Sequence, residues 1–275
     1  MSDLNPTLRT ACTIGDLSLA ESAYKEVVQK SASSKTYTLS QMAIMSAKNS
    51  HPAILSFCFS EGLELNPEHV NDPVVYAACD SGCVAVFRVF LDNGLDVNRY
   101  LETEGNPLTS ACYDGNLELV KFLLDKGADP NTGYGLGHYE ALVWAIVGQR
   151  ASLDIVQILL AYNVEVKGTG ALIAAAKYGN LGAVKLFLDK TDADLEEVEE
   201  YGDWDERKLD DMGTALYKAA AGGRGDIVDV LLEKGADVRF KDRTGRSVAD
   251  VAKENGHADI VRRLRPRNAA PEMPS

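Results

Sequence analysis

Between Gly115 and Asn131 the chain reads GNLELVKFLLDKGADPN, and its apolar side chains at Leu117, Leu119, Val120, Leu123 and Leu124 keep the three-and-four spacing of one helical face. The pattern returns in GCVAVFRVFLDNGLDVN from Gly82 and GRGDIVDVLLEKGADVR from Gly223. Weaker copies are SHPAILSFCFSEGLELN from Ser50, ASLDIVQILLAYNVEVK from Ala151 and GNLGAVKLFLDK from Gly179. GDLSLAESAYKEVV from Gly15 and GHADIVRRL from Gly256 bring the copies to eight. Their opening positions, 15, 50, 82, 115, 151, 179, 223 and 256, set a period near 33 residues. Before each lies a short run of small residues, as in PLTSACYDG, TALYKAAAGG and SVADVAKENG. Each copy is therefore predicted to be a pair of helices, a short one and then an amphipathic one. Glycine between the two, and again in DKGAD after the second, suits the left-handed residue that ends a helix.

A single pair of this kind cannot bury its apolar stripe, whereas stacked neighbours share a continuous core and need a polar face only at the ends. Arg262, Arg263 and Arg265 give the last copy that polar character. TALYKAA (Thr214 to Ala220), DPVVYAA (Asp72 to Ala78) and NPLTSAC (Asn106 to Cys112) resemble the Thr-Pro-Leu-His helix start of ankyrin repeats. LLDKGADPN and LLEKGADV resemble the end of that family's second helix. The resemblance runs from about Thr7 to Leu264 and implies an all-α solenoid of about eight helix-turn-helix units with projecting finger loops. One feature departs from it. The histidine of the helix start is replaced in every copy, by Arg9, Ile44, Val75, Thr109, Val143, Ile173, Tyr217 and Asp250, so its capping hydrogen bonds must be absent or supplied by other groups.

At 275 residues the chain could hold two domains, one large domain or a repeat array. The period argues for a single array over 1–266, with units at 1–35, 36–68, 69–101, 102–136, 137–166, 167–190, 212–241 and 242–266. An enlarged acidic finger at 191–211 and a disordered tail at 267–275 complete it. A net charge of −13 disfavours nucleic acid and anionic membrane as partners. No apolar run approaches the roughly 20 residues needed to cross a bilayer. The N-terminal MSDLNPTLRT lacks the pattern of a secretory signal, so an intracellular location, cytoplasmic or nuclear, is expected.

Most of the negative charge is local. Asp192 to Asp211, DADLEEVEEYGDWDERKLDD, carries eleven acidic and two basic side chains with Tyr201 and Trp204 among them. Its place in the period makes it a lengthened finger between the sixth and seventh units. VEVKGTGAL, by contrast, shortens the finger between the fifth and sixth to almost nothing. A short finger beside a long one predicts a notch, with Arg150, Lys177 and Tyr178 as its expected neighbours. What the ankyrin resemblance implies is recognition of another protein on the concave surface of fingers and first helices. The expected contact residues are Tyr100, Tyr113, Asp114, Tyr134, His138, Tyr139, Lys177, Tyr178, Asp203, Trp204, Asp205 and Glu206. The acidic finger favours a partner with a basic patch. A competing reading makes the notch an enzyme or small-molecule site built from His138, Lys177, Tyr178, Asp203 and Asp205. A third has the finger pack on the array to close the defect left by the shortened loop, and a fourth leaves it a solvated acidic loop.

The remaining candidate chemistry reads as structural, and neither an enzymatic activity nor a cofactor is expected. Cys12, Cys79 and Cys112 each stand three residues before an opening glycine, where the repeat normally has alanine, and are expected to be buried filler. Cys58 matches a core leucine, and Cys83 is the thiol expected to be more exposed. Five cysteines without metal-ligand spacing, and four histidines spread over different units, predict neither a disulfide framework nor a metal site. GYGLGHYE (Gly133 to Glu140) has glycines before a helix but neither the preceding strand nor the lysine of a phosphate loop, so it reads as a finger turn. RRLRPR (Arg262 to Arg267) complements a helix C-terminus.

Overall fold

The computed structural model describes residues 4–65, 72–101, 105–132, 141–198 and 212–265. Among them lie sixteen α-helices in eight successive pairs: α1 (Pro6–Ile14) with α2 (Leu17–Lys30), α3 (Lys35–Lys48) with α4 (Pro52–Ser60), α5 (Pro73–Ser81) with α6 (Val84–Asp92), and α7 (Pro107–Tyr113) with α8 (Leu117–Asp125). There follow α9 (Ala141–Val147) with α10 (Leu153–Ala161), α11 (Ala171–Tyr178) with α12 (Leu181–Lys190), α13 (Ala215–Ala221) with α14 (Gly225–Glu233), and α15 (Val248–Glu254) with α16 (Ala258–Arg263). The described residues hold no β-strand beyond two isolated bridges, Leu101 with Gly105 and Lys241 with Ser247.

Two compact units divide the chain, one of residues 1–111 and 116–129, the other of 112–115 and 130–275. In the first, α1, α3 and α5 stack in order, with α2, α4, α6 and α8 as a second row. In the second, α9, α11, α13 and α15 stack, backed by α10, α12, α14 and α16. The sequence explains the two rows. First helices carry small residues such as Ala175, Ala176, Ala219 and Ala220, all buried, which let helix axes approach closely. Second helices bury one stripe, as Leu119, Val120 and Leu123 do in α8 and Ile227, Val228 and Leu231 in α14.

Seven of the eight opening positions have the left-handed backbone expected of them: Gly15, Gly82, Gly115, Gly179, Gly223 and Gly256, and Ser50 at φ 61°. At the fifth pair the expectation fails, because Ala151 is not left-handed. The backbone N–H of the residue after each opening position normally bonds a carbonyl five residues back, as Asn116 does to Ala111 and Asn180 to Ala175. In the fifth pair Ser152 bonds Ala145, seven residues back at 3.1 Å, so this turn holds two extra residues. The insertion spreads the reversal over Gly148–Ser152 and removes the need for one left-handed residue.

Neighbouring turns lock together at the glycines. A Cβ on Gly15 would lie 2.6 Å from the His51 ring, and the His51 Nε2 pairs with the Thr13 carbonyl at 2.9 Å. Asn116 does the same over Gly82, donating to the Gly82 carbonyl at 2.8 Å, and His257 over Gly223, pairing with the Ala221 carbonyl at 3.2 Å. These histidines are thus structural, as their place directly after the opening positions suggests.

Other residues take over from the missing histidine. Thr109 and Asn106 cap α7 reciprocally at 2.7–2.8 Å, and Ser247 with Asp250 forms a capping box on α15. Tyr217 sends its hydroxyl to Asp242 at 2.7 Å. Cys12, Cys58, Cys79 and Cys112 are buried and Cys83 is half-exposed. Burial pushes the Cys12 thiol up to about 11, and those of Cys58 and Cys112 higher still, which suits filler and opposes thiolate chemistry.

Candidate functional site

Each first helix has a loop end, where the chain arrives from the preceding pair, and a turn end, where it leaves for its own second helix. The two ends carry different chemistry. At the loop end the repeats are joined by a ladder of side chains on backbone. Asn98 accepts the N–H of Asp129 at 2.8 Å and donates to the Gly127 carbonyl. Asn131 accepts from Glu165 at 2.7 Å and donates to Asn163. In the same register Glu196 accepts from Asp237 at 2.8 Å. Asp194 accepts the N–H of Glu196, as Asp96 does that of Asn98 and Asp237 that of Arg239. The first acidic residues of the 192–211 stretch are therefore part of the repeat's own ending, in the places of Asp96 and Asn98.

Glu197, the next residue, leaves the ladder. Its two carboxylate oxygens accept the N–H groups of Gly168 at 3.2 Å and Gly170 at 2.7 Å. Gly170, at φ 71°, is the N-cap of α11 and has no side chain of its own with which to cap it. Within the shortened loop GTG the Thr169 hydroxyl accepts the Ala171 N–H at 3.2 Å; for the N–H groups of Gly168 and Gly170 the neighbouring loop supplies a carboxylate, and an anion at a helix N-terminus also complements the dipole. The root of the long finger thus fills the place that the short one leaves, over the residues described. The outer residues Asp203, Trp204, Asp205 and Glu206, and Tyr134, His138 and Tyr139 of the preceding finger, lie outside the described residues.

The next finger, Lys241–Ser247, is centred on Asp242. This buried carboxylate accepts from the Tyr217 hydroxyl at 2.7 Å, the Thr244 N–H and hydroxyl at 2.9 and 2.8 Å, the Arg246 N–H at 2.9 Å and the Arg246 Nε at 2.7 Å. Burial alone would raise its pKa. The hydrogen bonds overcome that and hold the carboxyl well below the usual carboxylate range. KDRTGRS carries the signal for this arrangement, an Asp two residues before a Thr and three before a Gly, with a Tyr at the vacant histidine position.

Lys177 and Tyr178 occupy the turn end of α11, not its loop end. Some seven residues of helix, about 10 Å at 1.5 Å per residue, separate them from Gly170 and Glu197. They are accordingly not neighbours of the shortened finger. Tyr178 is 56% exposed, with the Lys177 Nζ 5.8 Å from its ring centroid. Tyr113, 42% exposed, meets the Trp144 ring edge-on at 5.1 Å, and Arg150 lies across Gly115. Tyr113, Lys177 and Tyr178 therefore share one end of the first-helix row. Asp114 adjoins Tyr113 and is half-buried, as is Tyr100 in the other unit.

An open groove of about 690 Å³ lies elsewhere again, lined by Leu160, Asn163, Val166, Lys167, Lys190 and Asp192. It falls where Lys167 replaces the ladder asparagine. Among the described residues no three His, Cys, Asp or Glu side chains gather as metal ligands would, and no helix is long and apolar enough to cross a membrane.

Comparison with known proteins agrees with the repeat geometry. A family model described as ankyrin repeats (3 copies) matches residues 42–134 and 197–273. The ankyrin repeat and KH domain-containing protein mask-1 of Caenorhabditis elegans is 28% identical over 239 residues, 84% of this chain and 8% of its own length. A protein of the same description from Caenorhabditis briggsae, CBG24701, is 33% identical over 199 residues, 69% of this chain and 7% of its own. The chain thus spans less than a tenth of these relatives. Among solved structures, the human ASB11 ankyrin repeat domain superposes with a TM-score of 0.65 at 24% identity, covering 82% of this chain and 99% of that one. Helix pairs on a period near 33 residues, left-handed opening residues, side-chain ladders between loop ends and a matching family model over most of the sequence lead to one conclusion: this chain belongs to the ankyrin-repeat family.

Proposed function

We propose that the chain recognises another protein through its fingers and the exposed positions of its first helices, with the acidic finger drawn to a basic patch on the partner. Ankyrin repeats are in general protein-interaction modules and typically have no catalytic role of their own, so the surface residues carry the argument. The observation that supports this reading most is how the acidic stretch is divided. Asp194, Glu196 and Glu197 are committed to backbone N–H groups, so the finger's root is a fixed part of the fold. Beyond that root the sequence still carries seven acidic side chains and Trp204, which the repeat itself does not require. A long-range field of one sign acts chiefly on the association rate.

The experiment captures a partner with the intact chain and follows its association in real time. Replacing Asp203, Asp205 and Glu206 by Asn, Asn and Gln should slow association, flatten its salt dependence and leave thermal stability unchanged. Trp204→Ala should speed dissociation. Unchanged kinetics in both variants would remove the finger from the recognition surface.

A further inference from the structure

Arg224 is placed where a helix least favours it. It is the N-cap of α14, the position at which Asp16, Asn116 and Asn180 cap α2, α8 and α12 with side-chain acceptors, yet it makes no capping hydrogen bond. Its positive charge also opposes the helix dipole. Packing places the guanidinium beside Gly179, its Cζ 3.2 Å from where a Cβ there would stand, and so next to Tyr178. His51, Asn116 and His257, which lie over their own glycines in this way, each bond a backbone carbonyl. The Arg224 guanidinium forms no hydrogen bond or ion pair among the described residues.

Arg150 repeats the oddity by another route. The two-residue insertion in the fifth turn carries it over Gly115, where it too is exposed and without a hydrogen bond or ion pair among the described residues. Four other arginines of this acidic chain are held in ion pairs: Arg239 with Asp237, Arg246 with Asp242, Arg263 with Asp229 and Arg99 with Asp72. Between Arg150 and Arg224 stand Lys177 and Tyr178, because α11 packs against both α9 and α13.

We infer that the turn ends of these first helices form a second interaction surface, distinct from the acidic finger, that takes an extended acidic segment of a partner protein. The row from Tyr113 and Trp144 through Arg150, Lys177 and Tyr178 to Arg224 crosses four successive turns. At about 10 Å between neighbouring helices, that is about 30 Å, the reach of roughly nine extended residues. Three cations offer charge, and two exposed tyrosines offer amphipathic rings for side chains between the carboxylates. The surface goes beyond the reading of the finger and has the opposite sign, so either can fail alone.

The test titrates the full chain with a fluorescein-labelled ten-residue peptide of alternating Glu and Asp with a central Leu. The same peptide with Lys in place of the acids and a ten-nucleotide single-stranded DNA run alongside. Saturable, salt-sensitive binding of the acidic peptide alone is expected. Arg224→Asn and Arg150→Ser should each weaken it about fivefold, while Lys185→Gln, which removes an equal charge from the exposed side of α12, should not. Arg224→Asn should at the same time raise the melting temperature by about 2 °C, since it restores an N-cap and removes a charge opposed to the dipole. No binding, equal effects of all three variants, or a lower melting temperature for Arg224→Asn overturns the inference. Preferential binding of the oligonucleotide, lost in the same variants, overturns it in favour of a nucleic-acid surface.

Discussion

Asp242 and Glu197 are both carboxylates that organise the approach to a first helix, yet one is enclosed by five donors and the other holds two backbone N–H groups from a half-buried position. Around Asp242 the donors come from its own finger, Thr244 and Arg246, and from Tyr217 of the preceding first helix, so finger and helix row are tied through one buried charge. Glu197 instead reaches from one loop to its neighbour and accepts two N–H groups of the turn Gly168–Gly170, whose own Thr169 hydroxyl accepts that of Ala171. A regular finger is stabilised from within. The shortened one depends on a residue 27 positions further along the chain.

The largest expected effect follows from this difference. Asp242→Ala takes the buried charge partner from the Arg246 guanidinium and the acceptor from the Tyr217 hydroxyl, and should destabilise by about 3–5 kcal/mol in denaturant unfolding. A loss below 1 kcal/mol would show that water replaces the carboxylate and that the enclosure counts for little. The same carboxylate sets a pH dependence. Its folded pKa is depressed, so its stabilisation is complete above the ordinary aspartate range near about 4 and is lost as pH falls below it. Asp242→Asn should therefore flatten the acid limb of the stability curve while leaving the neutral-to-alkaline part parallel to wild type.

Glu197→Ala comes next. Two charge-assisted hydrogen bonds disappear, but the freed N–H groups of Gly168 and Gly170 can reach water, so the loss should be about 1–2 kcal/mol. Glu197→Gln keeps an acceptor and should cost less than half of that. Hydrogen exchange at Gly168 and Gly170 gives the sharper reading, because protection there should fall in Glu197→Ala and stay unchanged in Asp242→Ala. Equal protection in both variants would mean that the short loop does not lean on its neighbour.

How far these features could be read beforehand depended on whether one residue type carries the physics. Left-handed turns need glycine or a small polar residue, so the opening positions stood out and seven have the expected backbone. The eighth was hidden because an insertion can keep SLDIV aligned while changing the turn before it. Lys177 and Tyr178 stand immediately before Gly179, which commits them to the turn end of α11 and not to the side of the short finger. Asp242 does not stand out in the sequence because its partners lie at three different separations, although the Asp and Thr of a tight turn are visible there. Arg224 was legible as the residue after an opening glycine, but what distinguishes it, an empty cap and an idle charge, is a property of the folded neighbours.

By composition the acidic stretch is a single finger beginning at Asp192, and the smallest effect probes where the repeat ends and the finger begins. Glu196 sits in the ladder place of Asn98 and Asn131 and makes the same bond to the next loop through one carboxylate oxygen. Asparagine at the other two places also donates to a carbonyl of that loop, which a carboxylate cannot do. Glu196→Asn trades a longer, charged acceptor for a shorter, neutral one that can both accept and donate. With the gain of a donor set against the loss of reach, stability should stay within about 0.5 kcal/mol of wild type. Glu196→Ala should fall by about 1 kcal/mol, because the Asp237 N–H then loses its partner. Denaturant unfolding of the two variants side by side decides the matter. If asparagine is as costly as alanine, Glu196 belongs with Glu197 to the finger's root, and the ladder ends at Asn131.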